Sequence, residues 1–181
     1  MRLLKTFWIA AIALAPFVAC GGSGSDTTTS STTTSTGSGS AGCLDYATAK
    51  TGVSFKNDVV PIFQNSCNFS ACHSSTSNSP QEDLALGLGK SDQMTDAEVK
   101  EVHDRIVNGT AERSSLPLVT AGEPGASWLL AKISYSSFAA CQAIADECAP
   151  KGCGGRMPQQ PLEADKIDIV AGWIKDGAPN N

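Results

Sequence analysis

The chain has no run of basic residues, no apolar stretch long enough to cross a bilayer and no internal repeat. It has only two histidines, His73 and His103. Without a basic stripe, and with a formal charge of −5, it lacks the electrostatic footprint of a nucleic-acid binder. Its N-terminal apolar run, Phe7 to Val18, falls short of the ~20 residues that a spanning helix needs. No Ser–His–Asp constellation and no carboxylate pair stand out as catalytic machinery.

That short run is itself informative. Arg2 and Lys5 precede it, and Ala19, Cys20 and Gly21-Gly22 follow. This is the layout of an export signal, expected over residues 1–19. Phe17-Val18-Ala19-Cys20 resembles a bacterial lipobox, with Phe17 where leucine is usual, and points to lipidation of Cys20. Gly21 is not the aspartate that commonly retains lipoproteins at the inner membrane, so sorting favours the outer membrane. Residues 20–42 read as the lipidated cysteine and a disordered linker, since after Cys20 only Asp26 and Ala41 are not Gly, Ser or Thr. Such a tether has an r.m.s. reach of about 25 Å.

Residues 43–181 are then expected to form one domain. Loss of Arg2 and Lys5 makes the mature chain two charges more negative, so a partner with a basic surface is expected. The elements read as helical, with long loops between them. Val53–Asn65 is an expected helix, capped by Asn57 or Asp58, with Pro61 in its first turn. Thr95–Asn108 carries a Thr95–Glu98 capping box and the stripe Val99, Val102, Ile106, with Gly109 closing it. Pro124–Ser134 and Glu163–Asp176 are two more, the last with Ile167, Val170, Ala171 and Ile174 on one face. Leu84, Leu86 and Leu88 suggest a short extended segment. His103 is expected half-exposed on its helix, and Trp173 in the core.

Seven cysteines remain to be explained. Cys67-Asn68-Phe69-Ser70-Ala71-Cys72-His73 places two thiols directly before an imidazole. The haem-attachment signature is C-x-x-C-H, and here the spacer is four residues. Two thiols can meet the two vinyl groups of a haem while the imidazole takes the iron. Met157, in Gly155-Arg156-Met157-Pro158 before the last helix, can supply a soft sixth ligand. With Cys20 lipidated, Cys43, Cys141, Cys148 and Cys153 remain for two disulfides, whose pairing the sequence does not choose. These four contain no C-x2-C pair near a histidine, so zinc is a weak alternative. Cys67 and Cys72 as a local disulfide, His73 as a loop residue, Met157 as a core filler and His103 as the second iron ligand are the competing readings.

Residues 53–181 resemble the small class I c-type cytochrome domains of bacterial exported proteins. The resemblance rests on Phe55-Lys56-Asn57-Asp58-Val59-Val60-Pro61-Ile62-Phe63 leading into the cysteine pair and His73. It rests also on Val119-Thr120-Ala121-Gly122-Glu123-Pro124-Gly125-Ala126-Ser127-Trp128-Leu129, on Met157-Pro158 and Pro161-Leu162, and on Ala171-Gly172-Trp173-Ile174-Lys175-Asp176-Gly177-Ala178-Pro179. It implies a mostly α, cytochrome c-like helical domain whose first and last helices cross near covalent haem c. By the same resemblance Cys67 and Cys72 form the thioethers, His73 is the proximal ligand and Met157 the distal one. Pro80 is a candidate to support His73 through its carbonyl. The x4 spacer and the Cys141–Cys153 insertion depart from the family pattern. The implied function is one-electron transfer at a membrane, facing the periplasm or cell surface, by a carrier rather than an enzyme. A haem enzyme or gas sensor with an open iron, and a haem-free disulfide-stapled lipoprotein, are the alternatives.

Overall fold

The structure is a computed structural model, and it describes residues 48–69, 71–75, 80–87, 94–134, 146–148 and 152–181. The expected signal, Cys20 with its expected lipid and the expected linker lie outside these residues, as do Cys43 and Cys141. Among the described residues every regular element is a helix and none is a strand. The only ladder-like contacts there are isolated bridges, Thr110 with Pro117 and Ser114 with Cys148. The mostly α reading therefore holds.

The first helix opens as a π-helical turn over Phe55–Val59 and continues as α1, Val60–Ser66. The cap is Ser54, not Asn57 or Asp58. Its hydroxyl accepts from Asn57 N at 3.2 Å, and Asp58 instead accepts from Ser54 N at 2.8 Å. Pro61 sits in the first turn of α1. It has no N–H to return to the preceding turn, which is where the helix is wound wide. Helix α2, Asp96–Val107, has the full capping box: Glu98 N donates to Thr95 Oγ1 and Thr95 N to Glu98 Oε2. Gly109 is needed for space rather than for a left-handed turn. A Cβ there would lie 2.3 Å from Arg105 O and 2.6 Å from Leu118 Cδ1.

The expected helix over 124–134 is two pieces. A 3-10 turn, Pro124–Ala126, stops at extended Ser127, and α3 then runs over Trp128–Ser134. Ser127 is buried, accepting from Thr120 N and donating to Glu123 O, and these bonds hold the corner. Helix α4, Ala164–Lys175, buries Val170, Ala171, Gly172, Trp173 and Ile174, and Gly177 turns the chain at φ 95°.

The core forms where these elements meet. The Phe55 ring packs on Trp173 at 4.9 Å, so the first and last helices touch. His103 corrects the expectation of half exposure. It is 9% exposed, edge-on to Phe55 at 5.0 Å, with Nε2 2.8 Å from Ala178 O. The position beside the α2 stripe is covered by the returning C-terminus, which the helix's own periodicity does not reveal. That C-terminus is held further by Trp173 Nε1 donating to Pro179 O and by Asn181 bonding to Ser54, Phe55 and Lys56.

Gly172 is the tightest point. A Cβ there would sit 1.9 Å from the Lys50 carbonyl oxygen, because the entering chain crosses α4 at that residue. Helix propensity alone makes Gly→Ala favourable by about 1 kcal/mol in a helix interior. Here the backbone of residue 50 has to move, so Gly172→Ala is expected to destabilise by about 1–3 kcal/mol, seen as a lower urea midpoint. An unchanged or raised midpoint would contradict this crossing.

Candidate functional site

The end of α1 delivers a turn that folds back on itself. Cys67 N and Asn68 N both bond Phe63 O, Cys72 N bonds Phe69 O, and His73 N reaches Cys67 O at 3.3 Å. These bonds set His73 beside Cys67. His73 is 8% exposed. Its Nδ1 lies 2.8 Å from the Leu84 carbonyl. A carbonyl only accepts, so Nδ1 carries the proton and Nε2 keeps its lone pair. Burial, opposed by the Leu84 bond and by Glu82, lowers the His73 pKa and favours this neutral imidazole.

Pro80 does not support His73; the carbonyl comes from four residues further on. Gln81 N bonds Cys72 O, and Asp83 N bonds Pro80 O. Glu82 and Asp83 then take left-handed φ values of 57° and 50°, which swing Leu84 under the ring. Leu86 N to His73 O at 2.7 Å and Ser75 N to Gly87 O at 2.9 Å fix the two segments side by side. Of the segment expected to be extended, Leu84 has extended backbone at φ −95° and ψ 94°, and it belongs to the histidine's support. Leu88 lies outside the described residues.

These groups open onto a cavity of about 600 Å³, lined by Cys67, Cys72, His73 and Met157 among others. Leu86, Leu118, Trp128 and Leu129 supply apolar wall. The end of α1 and the start of α4 both reach it, through Ser66 and Lys166. Met157 is half-buried, with its N–H donating to Lys132 O at 2.9 Å. The charged part of the wall is Glu82, Glu112, Arg113, Lys132, Glu163 and Lys166, with Arg113 Nε donating to Glu82 Oε1 at 2.9 Å. Lys132 is buried at 8% exposure. Burial, with Arg113 adding and Glu82 opposing, lowers its pKa to about 8. His103 does not line the cavity.

The cysteines divide. Cys67 carries a free thiol, and burial pushes its pKa up to about 12. Cys72 is disulfide-bonded, and its partner lies outside the described residues. A local Cys67–Cys72 disulfide is therefore not what forms. Cys148 and Cys153 are paired, with Cα atoms 5.1 Å apart. Sequence reading missed Lys132 and the Glu82–Arg113 pair as cavity residues. For Lys132 a signal existed: it lies four residues after Trp128, so both share one face of α3.

Comparison with protein-family models, with curated proteins and with solved structures found no match.

The free thiol of Cys67, the sulfur of Cys72, an imidazole with a lone pair and a thioether around an apolar hollow make a donor set suited to haem once the Cys72 disulfide is reduced. The volume falls in the ~300–1,000 Å³ range of cofactor and ligand sites. The left-handed pair gives a direct check on the histidine's support. Asp83→Val places a β-branched residue where it is strongly disfavoured and is expected to cost about 1–2 kcal/mol in urea unfolding. Asp83→Gly accepts the same φ and should cost less than Asp83→Val. Equal midpoints for the two variants would contradict the left-handed geometry.

Proposed function

We propose that the chain is a monohaem c-type cytochrome, a one-electron carrier with iron held between His73 and Met157 in a cytochrome c-like domain. The observation that carries this reading is that Cys67, Cys72, His73 and Met157 line one apolar cavity, although Met157 follows His73 by 84 residues. Haem c, when bound, supplies a one-electron iron couple. His73 offers Nε2 because Leu84 holds the proton on Nδ1. Met157 offers a soft sulfur, which with histidine suits a high-potential carrier. If His73 and Met157 both held a bound haem, the chain would leave no iron position for substrate, and this favours a carrier over an enzyme. Leu86, Leu118, Trp128 and Leu129 would cover the apolar faces of a bound haem.

Cys67 and Cys72 would fix the ring through thioethers. A sulfur cannot hold a disulfide and a thioether together, so Cys72 has to be reduced before attachment. Cys20 would anchor the chain by lipid, with residues 21–42 as the tether, facing the periplasm or the cell surface, the outer membrane being favoured. The acidic mature chain would meet a redox partner with a basic surface.

The Cys72 disulfide favours a second reading, a haem-free lipoprotein stapled by disulfides. The two differ in what the protein does with iron. Expressed with cytochrome maturation machinery, the reduced wild-type protein should be coloured and should not bind carbon monoxide without denaturant. Met157→Ala should bind it and show a lower reduction potential. Carbon monoxide binding by the wild type would make the site an open haem enzyme or sensor. An unchanged spectrum and potential in Met157→Ala would move the ligand elsewhere.

A further inference from the structure

Nothing in the axial-ligand reading says what holds Met157 in place. It lies in a stretch with no regular structure, after the cysteine-bearing insertion. A thioether on such a segment has freedom to leave the iron unless the backbone around it is tied down. The described part of the stretch is anchored at three places.

The first anchor is at 146–148. Ser114 bridges Cys148, and Ser115 N bonds Glu147 O at 2.9 Å. The second is the Cys148–Cys153 disulfide, which carries that anchorage across to residue 153. The third is one residue of α3. Lys132 Nζ donates to Cys153 O at 3.1 Å and to Gly155 O. The Lys132 carbonyl accepts the Met157 N–H at 2.9 Å. A single side chain and its own backbone therefore hold residues 153, 155 and 157. Gly154 lies between them, where a Cβ would come 3.6 Å from Lys132 Nζ. A buried ammonium is an expensive group to place in an apolar wall, and carbonyl partners offset that cost.

We infer that Lys132 is a positioning residue for Met157: its ammonium clamps the carbonyls of 153 and 155 and so sets where the methionine sulfur stands in the cavity. The inference rests on the His73–Met157 reading for its functional meaning, while the clamp itself is a property of the chain alone. The Cys148–Cys153 bond serves the same end from the other side, so the insertion that departs from the family pattern becomes the support of the distal ligand.

The test uses Lys132→Met, which keeps the stem and apolar packing but removes the donors. A second variant carries Cys148→Ser with Cys153→Ser. In the full-length haem-free chain, amide exchange at Met157 is expected to quicken about tenfold or more in Lys132→Met, the loss expected for charge-assisted hydrogen bonds. The double serine variant should quicken it as well, while amides of α2 stay as in the wild type. In the haem-loaded protein, Lys132→Met should bind carbon monoxide in the reduced state and show a lower potential at unchanged haem content. Unchanged exchange at Met157 in a folded Lys132→Met would overturn the clamp. So would a haem-loaded variant that keeps the wild-type potential and excludes carbon monoxide. Faster exchange in a protein that takes up no haem would leave the clamp standing and remove the cytochrome reading instead. If Lys132→Met does not fold, the serine pair decides: no change at Met157 overturns the clamp.

Discussion

One hydrogen bond orders the site: His73 Nδ1 to the carbonyl of Leu84. It fixes which ring nitrogen bears the proton and which faces outward with a lone pair. Everything around it maintains that bond. Gln81 is tied back to Cys72, the chain turns left-handed through Glu82 and Asp83, and Leu86 bonds the His73 backbone. Burial then keeps the imidazole neutral. Left-handed backbone in residues other than glycine is costly and persists where the surroundings over-determine it. Here the surroundings are the two walls of a cavity, and the price is met by a histidine presented in one orientation.

The scaffold behind this loop is a small helical core. Phe55, Trp173 and His103 hold the first helix, α4 and α2 together, and the C-terminal residues close over them. The opposite ends of α1 and α4 reach the cavity. The helices thus bring the described residues of two connecting segments, 67–87 and 152–162, to one hollow. Irregular chain supplies the chemistry, and regular chain fixes its distance.

Much of the helical layout was legible in the sequence. The Thr95–Glu98 box and the α4 stripe read directly, because local capping and periodicity depend on neighbours along the chain. The start of the first helix did not, since Ser54 competes with Asn57 and Asp58 as a cap and only the packed backbone decides. His103 was misjudged because the C-terminus that buries it is 75 residues away. Of the candidate site, the sequence offered the side chains Cys67, Cys72, His73 and Met157, which carry chemical identity and line one cavity. The supports of the site were not legible. The Leu84 carbonyl has no signature in the sequence, and Lys132 acts through carbonyls of an irregular segment. The state of Cys72 was also hidden, because a disulfide depends on which distant cysteine comes within reach.

The proposed electron transfer requires covalent haem at Cys67 and Cys72. The direct measurement is the intact mass of full-length protein made with cytochrome maturation machinery, taken after complete reduction and denaturation. Reduction opens every disulfide but leaves thioethers untouched. The expected result is a chain heavier by one haem, with its absorbance retained. A colourless chain whose mass is that of the polypeptide and its lipid alone, with every other cysteine a thiol, would contradict the account.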